Sequence, residues 1–178
     1  MTGVQTCALP ILASGSLEWN FGHDSAGADW RAINDGVMGG RSSGKLSVTD
    51  STLLFSGELS FENNGGFVSF RAPFGKYDLS SFRKMHLRYR SSGLALALML
   101  ETSDIFFLPH FRLSLEKTQG EWKEVVLDLN ELKEYRLDKV SARKVELDEL
   151  EKLIRIGFIS QEKKAVPFAF ELDYIRFE

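Results

Sequence analysis

The stretch "KMHLRYR" (residues 84–90) alternates strictly between apolar and polar side chains. The apolar residues are Met85, Leu87 and Tyr89, and the polar residues between them are His86, Arg88 and Arg90. Because successive side chains of a β-strand point to opposite faces, this pattern predicts a strand with one buried face and one polar face. Burial on one face only is typical of an antiparallel sheet, so the stretch indicates the class of the fold.

Similar short runs, separated by Gly, Asn, Asp and Ser, predict about nine to eleven strands in all. The other predicted strands lie in the segments 17–21, 45–50, 52–61, 66–72, 94–100, 105–115, 122–129, 153–160 and 167–178. A turn at 50–51 predicts a hairpin, and Pro109 predicts an edge or a bulge. In "LALALML" (94–100), leucines on one face and Ala95 and Ala97 on the other predict a strand buried on both sides, with the alanines under another element.

Only "VELDELEKLIR" (145–155) has helical periodicity, because Leu147, Leu150 and Ile154 follow one another at spacings of three and four residues. A fold that alternates strands and helices needs amphipathic helices of about 10–15 residues between its strands, and the sequence has none. The sequence therefore predicts an all-β protein, an antiparallel β-sandwich of the jelly-roll type with one short helix.

The charge and the hydropathy pattern exclude two classes of function. The formal net charge is −3, with Lys and Arg spread along the chain, which argues against binding to nucleic acid or to an anionic membrane surface. No apolar run approaches the ~20 residues that a membrane-spanning helix needs, so we expect no direct membrane span. The one cysteine, Cys7, offers no partner for a disulfide within the chain.

The first residues differ in character from the rest. The segment "TGVQTCALPI" (2–11) resembles the in-frame translation of a sequencing-adapter oligonucleotide. We therefore expect residues 1–11 not to be native and residues 12–178 to form a single β-sandwich domain. If residues 1–11 are not native, the sequence does not show where the protein itself starts. The sequence therefore leaves the cellular location open.

The segment "GRSSGK" (40–45), preceded by Gly39, has the G-x-x-x-x-G-K spacing of a phosphate-binding loop. Leu46 stands where such a loop has a Ser or Thr that holds Mg²⁺. The following "LSVTD" alternates as a strand, whereas a phosphate-binding loop leads into a helix. The spacing is therefore interpreted as a glycine-rich turn and not as a nucleotide site.

Catalytic chemistry has little support in the sequence. His23, His86 and His110 lie far apart, and no two of them have the spacing of metal ligands. No G-x-S-x-G motif identifies a nucleophilic serine, so a hydrolase that uses His86 or His110 is a minor alternative. The sequence predicts no catalytic residue, no metal and no cofactor.

A calcium site in the first loop is a further alternative. Asp24, Asp29 and Asp35 follow one another at short spacing, and carboxylates with backbone carbonyls are the ligands that Ca²⁺ prefers. The spacing does not match an EF-hand loop, and Asp is also an ordinary turn residue because its side chain accepts from nearby backbone amides. The turn interpretation is favoured.

Two glycine-rich segments, "NDGVMGGRSSG" (34–44) and "ENNGGF" (62–67), are the most distinctive part of the sequence. One interpretation is that both are tight turns at one end of the sandwich, where glycine accepts positive φ. The other is that they fold together into a recognition surface with amide and guanidinium donors. The residues predicted for that surface are Trp30, Asn34, Asp35, Met38, Arg41, Asn63, Asn64 and Arg71.

The same segments carry a family resemblance. The motifs W-R-A-I-N-D-G-V-M-G-G-R-S-S-G (30–44) and F-S-G-E-L-S-F-E-N-N-G-G-F-V-S-F-R (55–71) resemble those of the complex I intermediate-associated protein family. The later "GEWKEVVLDL" (120–129) and "FAFELDYI" (168–175) resemble the C-terminal half of that family. The resemblance extends over about residues 17–178.

The resemblance implies a galactose-binding-like jelly roll, in agreement with the strand pattern. Mitochondrial members of the family help to build the membrane arm of NADH:ubiquinone oxidoreductase and are not subunits of the finished enzyme. The resemblance therefore implies a non-enzymatic, chaperone-like domain whose partners are proteins, such as subunits of a respiratory or other membrane complex. It implies no catalytic residues.

A carbohydrate-binding module is the alternative function, because similar sandwiches bind sugars and a shared fold does not fix function. A sugar site needs an aromatic platform with amide, carboxylate or guanidinium partners. The residues predicted for such a face are His86, Arg88, Arg90, Arg112 and Trp122. Against this alternative, the polar strand faces have many charges and few aromatic residues.

Overall fold

The computed structural model describes residues 11–13, 16–22 and 25–178, and these residues form fourteen β-strands and one short α-helix. The strands, in chain order, are β1 (Ile11–Ala13), β2 (Ser16–Asn20), β3 (Arg31–Asn34), β4 (Ser43–Val48), β5 (Leu53–Leu59), β6 (Val68–Arg71), β7 (Lys84–Ser92), β8 (Leu96–Glu101), β9 (His110–Ser114), β10 (Lys123–Asp128), β11 (Lys133–Arg136), β12 (Lys139–Lys144), β13 (Arg155–Ser160) and β14 (Val166–Phe177). The helix α1 is Leu147–Leu150, and short 3₁₀ turns lie at Ser25–Gly27, Asp35–Met38, Glu62–Asn64 and Leu129–Glu131.

The first sheet is organised around β14, a strand of 12 residues. One edge of β14 pairs with β7, which in turn pairs with β10. The other edge pairs with β5 along its first half and with β2 along its second half. β4 pairs with β5, and β1 pairs with β2, so that β10, β4 and β1 lie at the sheet margins.

The second sheet has the strand order β12-β11-β9-β8-β13-β6-β3. Every strand pair in both sheets is antiparallel. The predicted all-β antiparallel sandwich with one short helix is therefore confirmed. The number of strands is higher than the nine to eleven expected, for reasons given below.

Aromatic rings fill the space between the two sheets. Phe70 of β6 lies 5.0 Å from Phe55 of β5 and 5.0 Å from Phe158 of β13, measured between ring centroids. Phe170 of β14 stacks on Tyr89 of β7 at 5.3 Å. Phe70 meets the first sheet at Phe55 and at Phe170, the latter at 5.8 Å, and because aromatic side chains bury large apolar areas, these two contacts stabilise the packing of one sheet on the other. The high Phe content of the sequence is thus used in the core.

The alternating patterns behave as predicted. Along β7, the apolar residues of "KMHLRYR" are buried and its histidine and arginines are half-buried on the outer face. All six residues of β8 are buried, as expected for a strand covered on both sides. Ala97, with Met99 and Ile159, packs beneath Phe67 from the loop before β6. The element over the alanine face is therefore a loop side chain.

The helix predicted at 145–155 is shorter than expected. α1 covers only Leu147–Leu150, with a capping box between Glu146 and Glu149, and Arg155 already belongs to β13. Of the three residues that suggested the helix, Leu150 is buried whereas Leu147 is exposed. Leu153 forms an isolated β-bridge with Tyr77, and Ile154 stands directly before β13, so neither residue belongs to a helical face and the helical periodicity there is coincidental.

Four strands and one strand end differ from the sequence prediction. β1 begins at the last residue of the segment expected not to be native, where no strand is predicted. β3, β11 and β12 are short and largely polar, so they lack the apolar alternation that identifies a strand. The predicted strand at 105–115 is limited to β9, because residues 105–109 form a loop. Pro109 precedes β9 and marks its start, not an edge or a bulge, since β9 pairs with both β8 and β11.

Several expectations fall outside the described residues. Residues 1–10 of the segment expected to be non-native are among these, as are His23 and Asp24. Ile11, the last residue of that segment, lies in β1 and pairs with Glu18.

No helix in the described ranges is long and apolar enough to cross a membrane.

Candidate functional site

The two glycine-rich loops leave the same end of two neighbouring strands. β3 ends at Asn34, which pairs with Val68, the first residue of β6. The first glycine-rich loop (35–42) therefore starts where the second glycine-rich loop (60–67) finishes. The backbone N–H of Asp35 donates to the carbonyl of Phe67 at 3.3 Å, which continues the strand pairing into the loops. The two loops therefore lie side by side at one end of the second sheet, a placement that fits both interpretations of the sequence.

Asp35 ties the two loops to each other. Its Oδ1 accepts a hydrogen bond from the backbone N–H of Ser42 at 2.9 Å, within the first loop. Its Oδ2 accepts from the N–H groups of Gly66 at 2.6 Å and Phe67 at 3.2 Å, within the second loop. The hydroxyl of Ser42 lies 2.5 Å from the same oxygen and also accepts from the N–H of Ser60. One carboxylate thus organises both loops.

The electrostatics of Asp35 follow from these bonds. The residue is 1% exposed, and burial alone raises the pKa of its carboxyl group. The hydrogen bonds from Ser42, Gly66 and Phe67 outweigh burial, so the net pKa of Asp35 lies below its ordinary value. Because donors surround it, the ionised form is the one that the folded protein stabilises.

Glycines allow the loops to approach the carboxylate this closely. A Cβ at Gly65 would lie 2.6 Å from Oδ2 of Asp35, closer than a carbon atom can approach without displacing it. Gly39 and Gly66 have φ values of +87° and +141°, which side-chain-bearing residues rarely adopt. We call Asp35 and its hydrogen-bond donors Ser42, Gly66 and Phe67 the Asp35 clamp. The glycines of the two motifs allow this clamp to form.

The clamped loops present apolar side chains to solvent. Val37 is 80% exposed and Met38 is 61% exposed, and Phe61 of the second loop is also exposed. Beside them, Arg41 and Glu62 form an exposed ion pair of 2.6 Å between the two loops. We call these five residues the loop surface. Val37 and Phe61 were not among the predicted site residues, because a single sequence does not reveal whether an apolar loop residue is exposed.

The structure brings together most of the predicted site residues. Asn63 and Asn64 have positive φ and directly follow Glu62, which pairs with Arg41 in the loop surface. Asn34 and Asp35 support the loops from beneath, and the Asn34 amide donates to the carbonyl of Gly44 at 3.0 Å.

Two predicted residues lie elsewhere. Trp30 is 2% exposed and packs in the core, 5.5 Å from Phe21 and 5.7 Å from Phe70 between ring centroids. Arg71 ends β6, and its guanidinium group pairs with Glu101 on the outer face of the second sheet. Neither side chain contributes to the loop surface.

The geometry also bears on the two ligand motifs weighed from the sequence. Both oxygens of Asp35 are occupied by hydrogen-bond donors, so this residue is not available as a calcium ligand. Within the described residues, no group of three or more His, Cys, Asp or Glu side chains is arranged to hold a metal ion. Gly44 and Lys45 of the phosphate-loop spacing lie inside β4, as expected from the strand pattern.

The outer face of the first sheet has four of the five residues considered for a sugar site, namely His86, Arg88, Arg90 and Trp122. The guanidinium carbons of Arg88 and Arg90 lie 4.5 and 4.9 Å from the centroid of the half-buried Trp122 ring. Arg90 pairs with Glu171, and Arg88 pairs with Asp173. His86 lies 2.6 Å from a carboxylate oxygen of Glu178. Trp122 and two arginines therefore form a platform beside carboxylates.

A shallow depression of about 200 Å³ adjoins this platform. Its lining residues are Arg90, Ser91, Ser92, Gly120, Ala169 and Glu171. Arg112, which the sequence prediction placed on the same face, lies instead on β9 of the second sheet. That prediction was wrong because the alternation within a strand does not reveal to which sheet the strand belongs. Two polar strand faces can therefore lie on different sheets.

Solved structures with the same fold include carbohydrate-binding modules. A family 11 carbohydrate-binding module of a cellulosomal cellulase of Clostridium thermocellum is similar with a TM-score of 0.66 and 17% identity, covering 93% of this chain and 95% of that chain. The Clostridium thermocellum module in complex with a β-1,3-1,4-mixed-linked tetrasaccharide gives 0.64 and 15%, over 93% and 96% of the two chains. An agarase gives 0.57 and 10%, over 91% of this chain and 24% of that chain. At these identities the likeness concerns the fold alone.

At the level of sequence, no curated protein matches the chain. The model of one protein family does match, and its description is Complex I intermediate-associated protein 30 (CIA30). The match covers residues 19–172, which include both glycine-rich loops, the Asp35 clamp, the whole second sheet and most of the first. The sequence resemblance noted above is therefore confirmed, and the chain belongs to the CIA30 family.

Proposed function

We propose that this chain is a non-enzymatic domain that binds a protein partner through the loop surface, as an assembly factor does for a respiratory membrane complex. The observation that carries the proposal is the Asp35 clamp, which fixes the backbone of the two loops that carry the exposed Val37, Met38 and Phe61. Loops whose backbone is already ordered lose less conformational entropy when a partner covers them. The family membership supports a partner among the subunits or assembly intermediates of complex I.

The composition of the loop surface is that of a protein interface. Aromatic residues, Met and Arg are enriched in interfaces, and a polar rim around an apolar centre is their usual arrangement. Phe61 and Met38 supply the apolar centre, and the Arg41–Glu62 ion pair supplies part of the rim.

The test compares two triple variants in cells that contain the partner complex. The first, Val37→Ser with Met38→Ser and Phe61→Ser, removes the apolar centre of the loop surface. The matched control, Val48→Ser with Val126→Ser and Leu147→Ser, removes three exposed apolar side chains elsewhere. We expect the native protein and the control to comigrate with a complex I assembly intermediate on native gels, and the loop variant to lose comigration while keeping its thermal stability.

A chain that comigrates with no complex I intermediate in any form would contradict the proposal. Equal loss of comigration in both triple variants would also contradict it, because the effect would then not depend on the loop surface.

A second candidate function is carbohydrate binding on the outer face of the first sheet. The observation that favours it is the Trp122 platform with Arg88 and Arg90 beside the depression, on a fold that carbohydrate-binding modules share. Titration calorimetry with a mixed-linked tetrasaccharide at millimolar concentration tests this candidate. Heat that saturates in the native chain and disappears in Trp122→Ala supports it, and no saturable heat in the native chain removes it.

A further inference from the structure

The outer face of the second sheet carries a concentration of positive charge that the sequence did not reveal. Cross-strand register places Lys133, Arg112, Met99, Gly157, Arg71 and Arg31 in one row across six strands. The neighbouring row contains Tyr135, His110, Glu101 and Arg155. These two rows therefore hold five basic side chains and one acidic side chain, in a protein whose formal net charge is −3. We call Arg31, Arg71, Glu101, Arg112, Lys133 and Arg155 the arginine face.

Glu101 is the centre of the arginine face. Its Oε2 accepts from Nε of Arg155 at 2.6 Å, and its Oε1 accepts from Nη2 of Arg155 at 3.0 Å and from Nη1 of Arg71 at 2.9 Å. One carboxylate thus neutralises only one of the two positive charges on Arg71 and Arg155, so the cluster keeps a net charge of +1. Because each guanidinium has five N–H donors, both arginines keep further donors beyond the bonds named here.

Gly157 permits this arrangement. Arg71 lies on β6 and Glu101 on β8, with β13 between them, so the Arg71 side chain has to pass over β13. It passes at Gly157, where a Cβ would lie 2.7 Å from Cγ of Arg71. The absent side chain at this position is therefore what allows Arg71 to reach Glu101.

Arg112 extends the positive charge toward β11. Its Nε donates to Nε2 of His110 at 2.8 Å, and its guanidinium carbon lies 4.8 Å from the centroid of Tyr135. Burial, and after it the charge of Arg112, lowers the pKa of His110 to about 4. The imidazole is therefore neutral at physiological pH and adds no charge of its own. Oδ1 of Asp138 lies 3.8 Å from Nη1 of Arg112, and the Asp138 side chain is fully exposed to solvent.

Exposed apolar side chains border one end of the arginine face. Phe74 lies over the guanidinium group of Arg155, at 4.1 Å from its ring centroid, and is exposed. The loop 102–109 joins Glu101 to His110, and its residues Ile105, Phe106 and Phe107 are also exposed, with Phe106 at 68%. We call these four residues the apolar rim. Three aromatic rings and one aliphatic chain at the same sheet end make an apolar patch next to excess positive charge.

We propose that the arginine face and the apolar rim bind an acidic, apolar-flanked segment of a protein partner, with a carboxylate on the arginines and apolar side chains on Phe74, Phe106 and Phe107. Charge complementarity carries this assignment, because buried guanidinium groups with a single carboxylate between them attract a second carboxylate. Arg and aromatic residues together are also the residue types that dominate the binding energy of protein interfaces. The site lies at the opposite end of β6 from the loop surface and does not use it.

The depth of the cations favours a peptide carboxylate over a membrane surface. The side chains of Arg71, Arg155 and Arg112 are only 13%, 10% and 8% exposed, so an individual carboxylate reaches them whereas a planar layer of headgroups does not.

The experiment measures binding of fluorescein-labelled twelve-residue peptides to the full chain by anisotropy. The probes are peptides with two or three Glu residues flanked by Leu and Phe, and matched peptides in which Gln replaces every Glu. We expect the acidic peptides to bind saturably and at least tenfold more tightly than their Gln counterparts, with affinity falling as salt is raised. Equal binding of the two sets, or no saturable binding, would overturn the proposal.

Variants on exposed residues test the location without disturbing the buried cluster. Phe106→Ser with Phe107→Ser is expected to weaken acidic-peptide binding about tenfold, and Lys133→Glu about threefold. Lys163→Glu changes the net charge equally but lies beyond the opposite end of β13, and it is expected to change affinity less than twofold. Equal weakening by Lys133→Glu and Lys163→Glu would overturn the location.

Two further arms separate the alternative occupants. Vesicles rich in phosphatidylglycerol and an oligogalacturonate are tested against the same variants, and binding to either without binding to the acidic peptides would overturn the proposal. The loop triple variant, Val37→Ser with Met38→Ser and Phe61→Ser, is expected to bind the acidic peptides as the native chain does. This arm distinguishes a failure at the arginine face from a failure of the proposed function of the loops.

Discussion

The Asp35 clamp and the arginine face each bury one carboxylate, but they stabilise it in different ways. Asp35 accepts hydrogen bonds from backbone amides and one hydroxyl, all neutral donors from two loops. Glu101 accepts from two guanidinium groups that come from different strands. A carboxylate that accepts from backbone amides orders the backbone of the loops. A carboxylate that accepts from two arginines orders their side chains, and the group of three keeps a net positive charge. The first region is therefore suited to present fixed loops, and the second to attract an anion.

The largest effect is expected from removing the charge of Glu101. Glu101→Gln keeps the size of the side chain but leaves Arg71 and Arg155 with no counter-charge, so we expect a loss of about 3–5 kcal/mol in the free energy of unfolding. Asp35→Asn replaces an acceptor by an amide that faces N–H donors, and we expect a smaller loss of about 2 kcal/mol. Urea unfolding with an unchanged slope measures both. A smaller effect for Glu101→Gln than for Asp35→Asn would contradict the contrast between the two regions.

The two regions are also expected to respond to acid in separate pH windows. The pKa of His110 is about 4 in the folded chain, against an ordinary value of 6.5. Between these values the unfolded chain binds a proton that the folded chain does not, so stability falls as the pH drops from about 6.5 to 4, by about 3 kcal/mol. Arg112, Glu101, Arg71 and Tyr135 are the titratable groups around this imidazole.

Asp35 acts at lower pH. Its folded pKa is below the ordinary 3.8, so its contribution to stability is complete above that pH and is lost as the pH falls through the folded pKa. Denaturation profiles from pH 8 to pH 2 separate the two groups. His110→Gln, whose side-chain oxygen still accepts from Arg112, is expected to flatten the upper window only, and Asp35→Asn the lower window only. A single step that both variants abolish would show that the regions are not independent.

An intermediate effect is expected at Gly157. In Gly157→Ala, the new Cβ meets Cγ of Arg71 at 2.7 Å and the carbonyl oxygen of Phe70 at 2.8 Å, so we expect a loss of about 1–3 kcal/mol in unfolding free energy. Gly36→Ala is the matched control in the first glycine-rich loop, because a Cβ there meets nothing within 4 Å. Thermal unfolding compares them, and equal melting temperatures in the two variants would mean that Arg71 does not depend on the path over Gly157.

The smallest effect is expected at the exposed ion pair of the loop surface. Glu62→Gln removes the partner of Arg41, but both side chains are well exposed, so the free energy of unfolding should change by about 0.5 kcal/mol or less. The same variant serves as a surface control for Asp35→Asn, because both change one carboxylate between the same two loops. A loss as large as that of Asp35→Asn would mean that the ion pair, and not the clamp, holds the loops.

The parts of this protein that were predictable from sequence are those in which local pattern determines structure. Alternation identified β7 and β14 because one side of each strand faces the aromatic core. The motifs around Asp35 pointed to the loops because glycines and Asn-Asp pairs mark turns within a few residues. The family resemblance followed from the same two motifs.

The parts that were not predictable depend on register between strands distant in sequence. Arg71, Glu101 and Arg155 lie up to 84 residues apart, yet β6, β13 and β8 place them on one face. The spacing of residues within one strand does not indicate that these three side chains contact one another. The position of Arg112 on the second sheet also depends on strand pairing, which is why the sequence did not predict it. β11 and β12 escaped notice because mostly polar strands need not alternate in hydropathy.

The central claim, that the loop surface contacts a protein of complex I assembly, is tested most directly by site-specific cross-linking. Benzoylphenylalanine is introduced in place of Val37, which is 80% exposed, or in place of Val126, which is exposed on the outer face of the first sheet. After irradiation in cells that assemble complex I, we expect a cross-link to one complex I subunit or assembly protein from position 37 and none from position 126. The same cross-link from both positions, or none from position 37 while the intermediate accumulates, would contradict the account.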